Sequence, residues 1–238
     1  METIDLYYCH RRNPDVPIED MVGAMTLLYK AGEVRQLGSS EVSSATLHKA
    51  NATHFIFAVQ SEYLLSAREP ETDMLATCGE LDTAFVAYSR WRRTFLAGVL
   101  EKANLAAYDF RKNLPRFTCA AEAANQVMVD CLSQFAKVKS RSNTQVSLAW
   151  LLCKHPRFVP IPGWRRIHHL EQNSSSADLE LLPLEIAELD ALFLTDTVAG
   201  KRYPKTGRVG INSRTWDVQD VSSCSKPVVN AFLMSCFS

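Results

Sequence analysis

The sequence predicts an α/β fold built on a parallel sheet, and three observations predict it. Short runs rich in β-branched and aromatic residues recur along the chain, amphipathic helical patterns lie between them, and the two alternate in order. The runs read IDLYYCH from Ile4, VRQLGSS from Val34, FIFAVQSEY from Phe55, FVAYS from Phe85 and FVPIP from Phe158. Near-continuous apolar runs of this length are expected in strands buried on both faces, as parallel strands are.

The helical segments follow from their own signals. Pro17 suits a first helical position, and Glu19 and Asp20 favour the positive end of the dipole. Ile18, Met21, Met25 and Leu28 then share one face, and Gly32 supplies the stop. Helices are expected at about 44–51 and 71–81, then a long irregular stretch to about Thr118. A helix from about Ala120 to Lys139 follows, and another starts near Thr144 and is ended by Pro156. A short helix covers Arg166 to Asn173, and Pro183 opens the last, carrying Leu184, Leu189, Leu192 and Phe193.

This alternation fits two architectures, the doubly wound open sheet and the (β/α)8 barrel. No G-x-G-x-x-G follows any strand, which counts against a dinucleotide-binding Rossmann domain. Only five strand–helix units are visible, which counts against a complete barrel. The spacing leaves both open.

Composition narrows the function. The chain has 238 residues, 47% of them apolar and 22% charged, as a soluble globular protein does. Lys+Arg and Asp+Glu balance at 26 each, so no electrostatic footprint for nucleic acid or an acidic membrane exists. No apolar stretch approaches the ~20 residues that span a bilayer. The acidic start METIDLYYCH is unlike a secretory signal, so a cytoplasmic protein is expected. The seven cysteines are scattered without a C-x-x-C pair, which points to buried free thiols and no metal site.

Both architectures build their sites at the carboxyl ends of the strands. Those ends read Cys9-His10-Arg11, Gly38-Ser39-Ser40-Glu41, Gln60-Ser61-Glu62, Tyr88-Ser89-Arg90 and Pro162-Gly163-Trp164-Arg165-Arg166. Five polar ends on one rim are what a polar pocket needs. Arg165 and Arg166 at a helix start read as a phosphate-binding corner, where free N–H groups and guanidinium forks meet an anion.

Taken in order, IDLYYCHR, AGEVRQLGSSE, AVQSEY, FVAYS, VSLAWLL and VPIPGWRRIHHLEQN resemble the later part of the aldo-keto reductases, over roughly residues 4–204. The branch resembled reduces aldehydes, ketones or pyridoxal-like substrates with NADPH. The resemblance implies a TIM barrel in which IDLYYCH is the fourth strand and FVPIP the eighth. The expected fold is therefore an incomplete (β/α)8 barrel over 1–204, with about five of eight units and the first three absent. Residues 205–238 resemble nothing in the family and are expected to form an irregular C-terminal extension. The resemblance further implies an NADP-dependent oxidoreductase acting on a small-molecule carbonyl.

It also implies roles. His10 resembles the histidine that orients and polarises the substrate carbonyl. Ser40 and Glu41 stand where a Ser-Asn or Ser-Glu pair holds the nicotinamide carboxamide, and Gln60 matches the glutamine that does the same. Tyr88 matches the tyrosine that stacks on the nicotinamide, with Ser89 next to it. Arg165, with Arg166, lies in the stretch that contacts the 2′-phosphate, and Gln172 and Asn173 sit where the adenine is held.

Two departures matter. The family's catalytic Asp, Tyr and Lys come from strands before IDLYYCH, so only His10 of that set is expected here. After the fourth apolar run the family reads like YSPLGRGFLTG, whereas this chain has Arg90, Arg92, Arg93 and Thr94. The arginines attract a pyrophosphate by charge, but side chains fill space that glycine leaves to backbone, so weakened NADPH binding is expected. The alternative is a catalytically incompetent remnant that at most binds nucleotide. A barrel wall with open edges is also expected to self-associate.

Overall fold

The computed structural model describes residues 2–88, 115, 119–194 and 198–200. Ser89, Arg90, Arg92 and Arg93, the boundary at 204 and the extension 205–238 lie outside the described residues.

The described chain alternates strand and helix as its sequence pattern dictates. In order come β1 (Tyr7–Cys9), α1 (Ile18–Lys30), β2 (Leu37–Ser40), α2 (Ser44–Thr53), β3 (Ile56–Glu62), α3 (Met74–Glu80) and β4 (Ala84–Tyr88). Then follow α4 (Cys119–Val138), α5 (Asn143–Lys154), β5 (Phe158–Pro160), α6 (Ile167–Ser174) and α7 (Pro183–Leu192). The helix expected at 71–81 is divided: a 3-10 turn at Glu69–Thr72 precedes α3. Pro17 sits one residue before α1, as its N-cap. Ser43 caps α2, and Ser142 with Gln145 forms a reciprocal box at the start of α5.

The five strands form one parallel sheet in the order β1-β2-β3-β4-β5. This order decides between the two architectures. A doubly wound sheet reverses its strand order at a switch point. Here every strand pairs with the next in sequence, which is how a (β/α)8 wall is laid down. The fold is a partial TIM-barrel-like wall of five parallel strands.

Register separates the two faces. Paired residues share a face, so Leu37, Ser39, Val59, Phe85 and Phe158 lie on one side. That side is covered by helices. Leu37, Val59 and Phe85 are fully buried in the main core with Leu47, Leu132 and Trp150. Tyr63 stacks among Phe85, Phe158 and Trp150 with centroids 5.8, 5.7 and 5.5 Å away, tying β4 and β5 to α5.

The other side departs from expectation. Ser40, Gln60, Val86 and Val159 form one row across it. Val159 and the next residue on that face, Ile161, are 49% and 45% exposed. β5 is therefore not buried on both faces, whereas β2, with all four of its residues buried, is. A continuous apolar run reports that both faces suit burial, not that a second layer is present.

A polar network fastens the last helix to the wall. Arg68 makes a bidentate contact with Glu71 at 3.0 and 2.6 Å and donates to the Asp190 carbonyl at 2.9 Å. Lys154 Nζ reaches both Asp190 carboxylate oxygens at 2.7 Å, and Trp150 Nε1 donates to Oδ1 at 2.9 Å. Tyr63 Oη donates to Glu71 at 2.7 Å. The cysteines only partly meet expectation. Cys78 and Cys131 are buried, Cys9 is half-buried and Cys153 is exposed. Burial pushes the Cys78 thiol up to about 12.

Candidate functional site at the strand ends

Parallel strands all deliver their carboxyl ends to one rim, so the topology gathers residues distant in sequence. His10 follows β1, whose Cys9 pairs with Ser39, and its ring is exposed. Ser40 pairs with Gln60, and Glu62 pairs with Tyr88 one step further along. Period-two alternation puts Ser40, Gln60, Glu62 and Tyr88 on the same face as Val86. Four expected site residues from β2, β3 and β4, namely Ser40, Glu41, Gln60 and Tyr88, are thereby brought together.

Glu41 holds this corner. It is 1% exposed, and its backbone has φ of 54°, in the left-handed region a glutamate rarely adopts. Such a conformation costs on the order of 1–3 kcal/mol and persists where surrounding contacts over-determine it. Those contacts are visible. The Glu41 N–H donates to the Gln60 carbonyl at 2.9 Å. Its Oε1 accepts from the Tyr88 hydroxyl at 2.7 Å and from the Glu62 N–H at 3.0 Å. One residue thus ties the ends of β2, β3 and β4.

Glu62, named in the sequence only as part of a polar strand end, is given no role there. It is fully buried at the end of β3 beside Glu41. The signal in the sequence is an acid closing the run FIFAVQSE. Tyr8 lies under the same rim: its ring packs over Gly38, where an added Cβ would meet Tyr8 Cδ1 and Cε1 at 2.6 Å. Burial pushes the Tyr8 phenol above the ordinary tyrosine range.

Arg165 and Arg166 precede α6, with Arg166 as its N-cap, and both are exposed. No acid occupies the first turn of α6, so its N–H groups are uncompensated by carboxylates there. Gln172 and Asn173 are half-buried near the end of the helix, and the Gln172 carbonyl accepts from Ser175 and Ser176. β5 is the neighbour of β4, so this corner adjoins the Tyr88 end along the rim. The adjacent His168 and His169 rings lie 4.0 Å apart, although helix neighbours start on different sides. Among the described residues no group of three or more His, Cys, Asp or Glu could hold a metal ion. No described helix is long and apolar enough to cross a membrane. A cleft of about 590 Å³ also opens between the loop after β1 and the starts of α1 and α2, lined by Arg12, Asp15, Glu19, Thr46 and Lys49 among others.

A sequential parallel wall with polar strand ends agrees with what comparison with known proteins finds. The sequence profile of the Aldo/keto reductase family matches residues 1–193. The chain belongs to that family. Aldo-keto reductase str7 of Strobilurus tenacellus is 36% identical over 220 residues, which are 90% of this chain and 65% of str7. The crystal structure of the thermostable aldo-keto reductase Tm1743, bound to the inhibitor epalrestat, is 29% identical with a TM-score of 0.61, over 81% of this chain and 61% of Tm1743. Glycerol dehydrogenase AKR11B4 from Gluconobacter oxydans shares the fold at 22% identity and a TM-score of 0.75, over 86% of this chain and 62% of that enzyme. An aldo-keto reductase from Klebsiella pneumoniae, solved with NADPH, shares it at 24% identity and a TM-score of 0.61, over 81% of this chain and 60% of its own length. The aldo-keto reductase chain thus spans less than two thirds of each of these relatives.

Proposed function

We propose that this polypeptide carries the NADPH seat of an aldo-keto reductase that reduces an aldehyde or ketone to an alcohol. The observation that carries the reading is the convergence of Ser40, Gln60 and Tyr88 on one face at the ends of three adjacent parallel strands. In this reading Ser40 and Gln60 hold the nicotinamide carboxamide and Tyr88 supplies the ring beneath it. Arg165 and Arg166 meet the 2′-phosphate, and Gln172 and Asn173 hold the adenine. His10 orients the carbonyl at the edge of the nicotinamide. In the same reading Ser89, Arg90, Arg92 and Arg93 serve the pyrophosphate, the arginines by their charge. In this reading residues 1–204 belong to the barrel part and 205–238 do not.

NADPH supplies a hydride when bound, and the alkoxide formed then needs a proton. A proton donor at neutral pH wants a lowered pKa. Tyr8, the phenol nearest the Ser40 row on β1, is shifted the opposite way by burial. That favours a second reading for the chain on its own: a nucleotide-binding part that turns over no carbonyl. In that reading the acid and the lysine that the family resemblance implies are not supplied by β1–β5.

Titration with NADPH and with NADH, followed by tryptophan fluorescence, tests the seat. Saturable quenching is expected, with NADPH preferred and the preference reduced by Arg165→Ala. A flat response to NADPH at millimolar concentration refutes the seat. Consumption of NADPH with a panel of aromatic and aliphatic aldehydes separates the two readings.

A further inference from the structure

We propose that Glu41 is a positioning residue whose carboxylate locks the Tyr88 ring as the platform for the nicotinamide, rather than a group that touches the carboxamide. The inference rests on the NADPH reading above and assigns Glu41 a different role within it. Three features carry it. Glu41 Oε1 already accepts two hydrogen bonds, from the Tyr88 hydroxyl at 2.7 Å and the Glu62 N–H at 3.0 Å. Glu41 is 1% exposed, so its carboxylate is directed among the strand ends and not toward the open rim. Its left-handed backbone, φ 54°, aims the side chain across β3 to a residue 47 positions away.

The other end of Tyr88 is also held, because the Tyr63 N–H donates to its carbonyl at 3.3 Å. A phenol anchored at its hydroxyl by a carboxylate and at its backbone by the next strand cannot rotate freely about its side-chain torsions. A hydrogen bond sequestered from water holds its donor more firmly than an exposed one. A stacking platform gains affinity from being fixed before the ligand arrives.

The test compares NADPH with adenosine 2′,5′-bisphosphate, which keeps the 2′-phosphate end and lacks the nicotinamide. Both are titrated by calorimetry into the full chain and into Glu41→Ala, Tyr88→Phe, their double variant and Glu41→Gln. Glu41→Ala and Tyr88→Phe are each expected to weaken NADPH about tenfold, as loss of one buried hydrogen bond does. The bisphosphate should stay within about twofold. The double variant should be no weaker than either single one, since both remove the same bond. Glu41→Gln, which keeps an acceptor oxygen, should recover most of the loss.

Additive losses in the double variant would show that Glu41 meets the cofactor itself and overturn the proposal. So would NADPH affinity unchanged by Tyr88→Phe, a variant that removes one hydroxyl and decides the matter even if Glu41→Ala does not fold. A wild-type chain that binds the bisphosphate and NADPH while every variant matches it sinks only this inference. A wild-type chain that binds neither sinks the NADPH seat as well.

Discussion

Replacing Asp190 with alanine probes what keeps α7 on the wall. Asp190 accepts from Trp150 Nε1 at 2.9 Å and from Lys154 Nζ at 2.7 Å, and Arg68 stands 3.3 Å away. Trp150 is fully buried, so losing the acceptor strands an indole N–H, which costs about 1–3 kcal/mol. The cations are not wholly abandoned. Glu71 stays 2.6 Å from Arg68 and 3.8 Å from Lys154. Their side chains are 12% and 18% exposed, so the remaining imbalance adds about 1 kcal/mol rather than the larger penalty of an unpaired buried charge. The sum is about 3 kcal/mol, or a fall in melting temperature of roughly 6–12 °C for a chain of this size. Asp190→Asn keeps the acceptor for Trp150 and loses the charge, so about half the effect is expected. Urea unfolding followed by far-ultraviolet circular dichroism measures it. An Asp190→Ala variant within about 1 kcal/mol of wild type would show that the network contributes contacts without stability.

Two further outcomes follow from local geometry. Gly38→Ala places a methyl 2.6 Å from two Tyr8 ring carbons and should destabilise by about 1–3 kcal/mol. In a Tyr8→Ala background the same change should be nearly neutral, and equal costs in both backgrounds would disprove the ring contact. Burial pushes the Glu185 carboxyl up, but Lys139 and the Leu182 N–H outweigh it and hold the group below its ordinary range. Its stabilisation is therefore complete above about pH 4.5 and is lost as the pH falls through the lowered folded value. Melting curves of wild type and Glu185→Gln from pH 3 to 7 should converge at the acid end, and parallel curves would refute the assignment.

Much of the fold was legible because its signals are local. Apolar periodicity, Pro17 and Pro183 act within a few residues, and α1, α2, α5, α6 and α7 begin within one residue of where the pattern places them. The helix expected at about 71–81 is broken because Asp73, with φ −153°, interrupts an otherwise helical pattern. Of the candidate site, the strand-end residues were legible because parallel topology itself selects them. Glu62 was not, since an acid in a strand gives no sign of the partner it will meet.

The sequence by itself determined the alternation of strand and helix, the polar rim and the family, all of which depend on pattern and composition along the chain. Only the tertiary structure decided the sequential strand order, the face left exposed at Val159 and Ile161, and the carboxylate tie of Glu41 to Tyr88. Those depend on register between segments tens of residues apart. A one-residue slip would turn Ser40, Gln60 and Tyr88 to the helix-covered side.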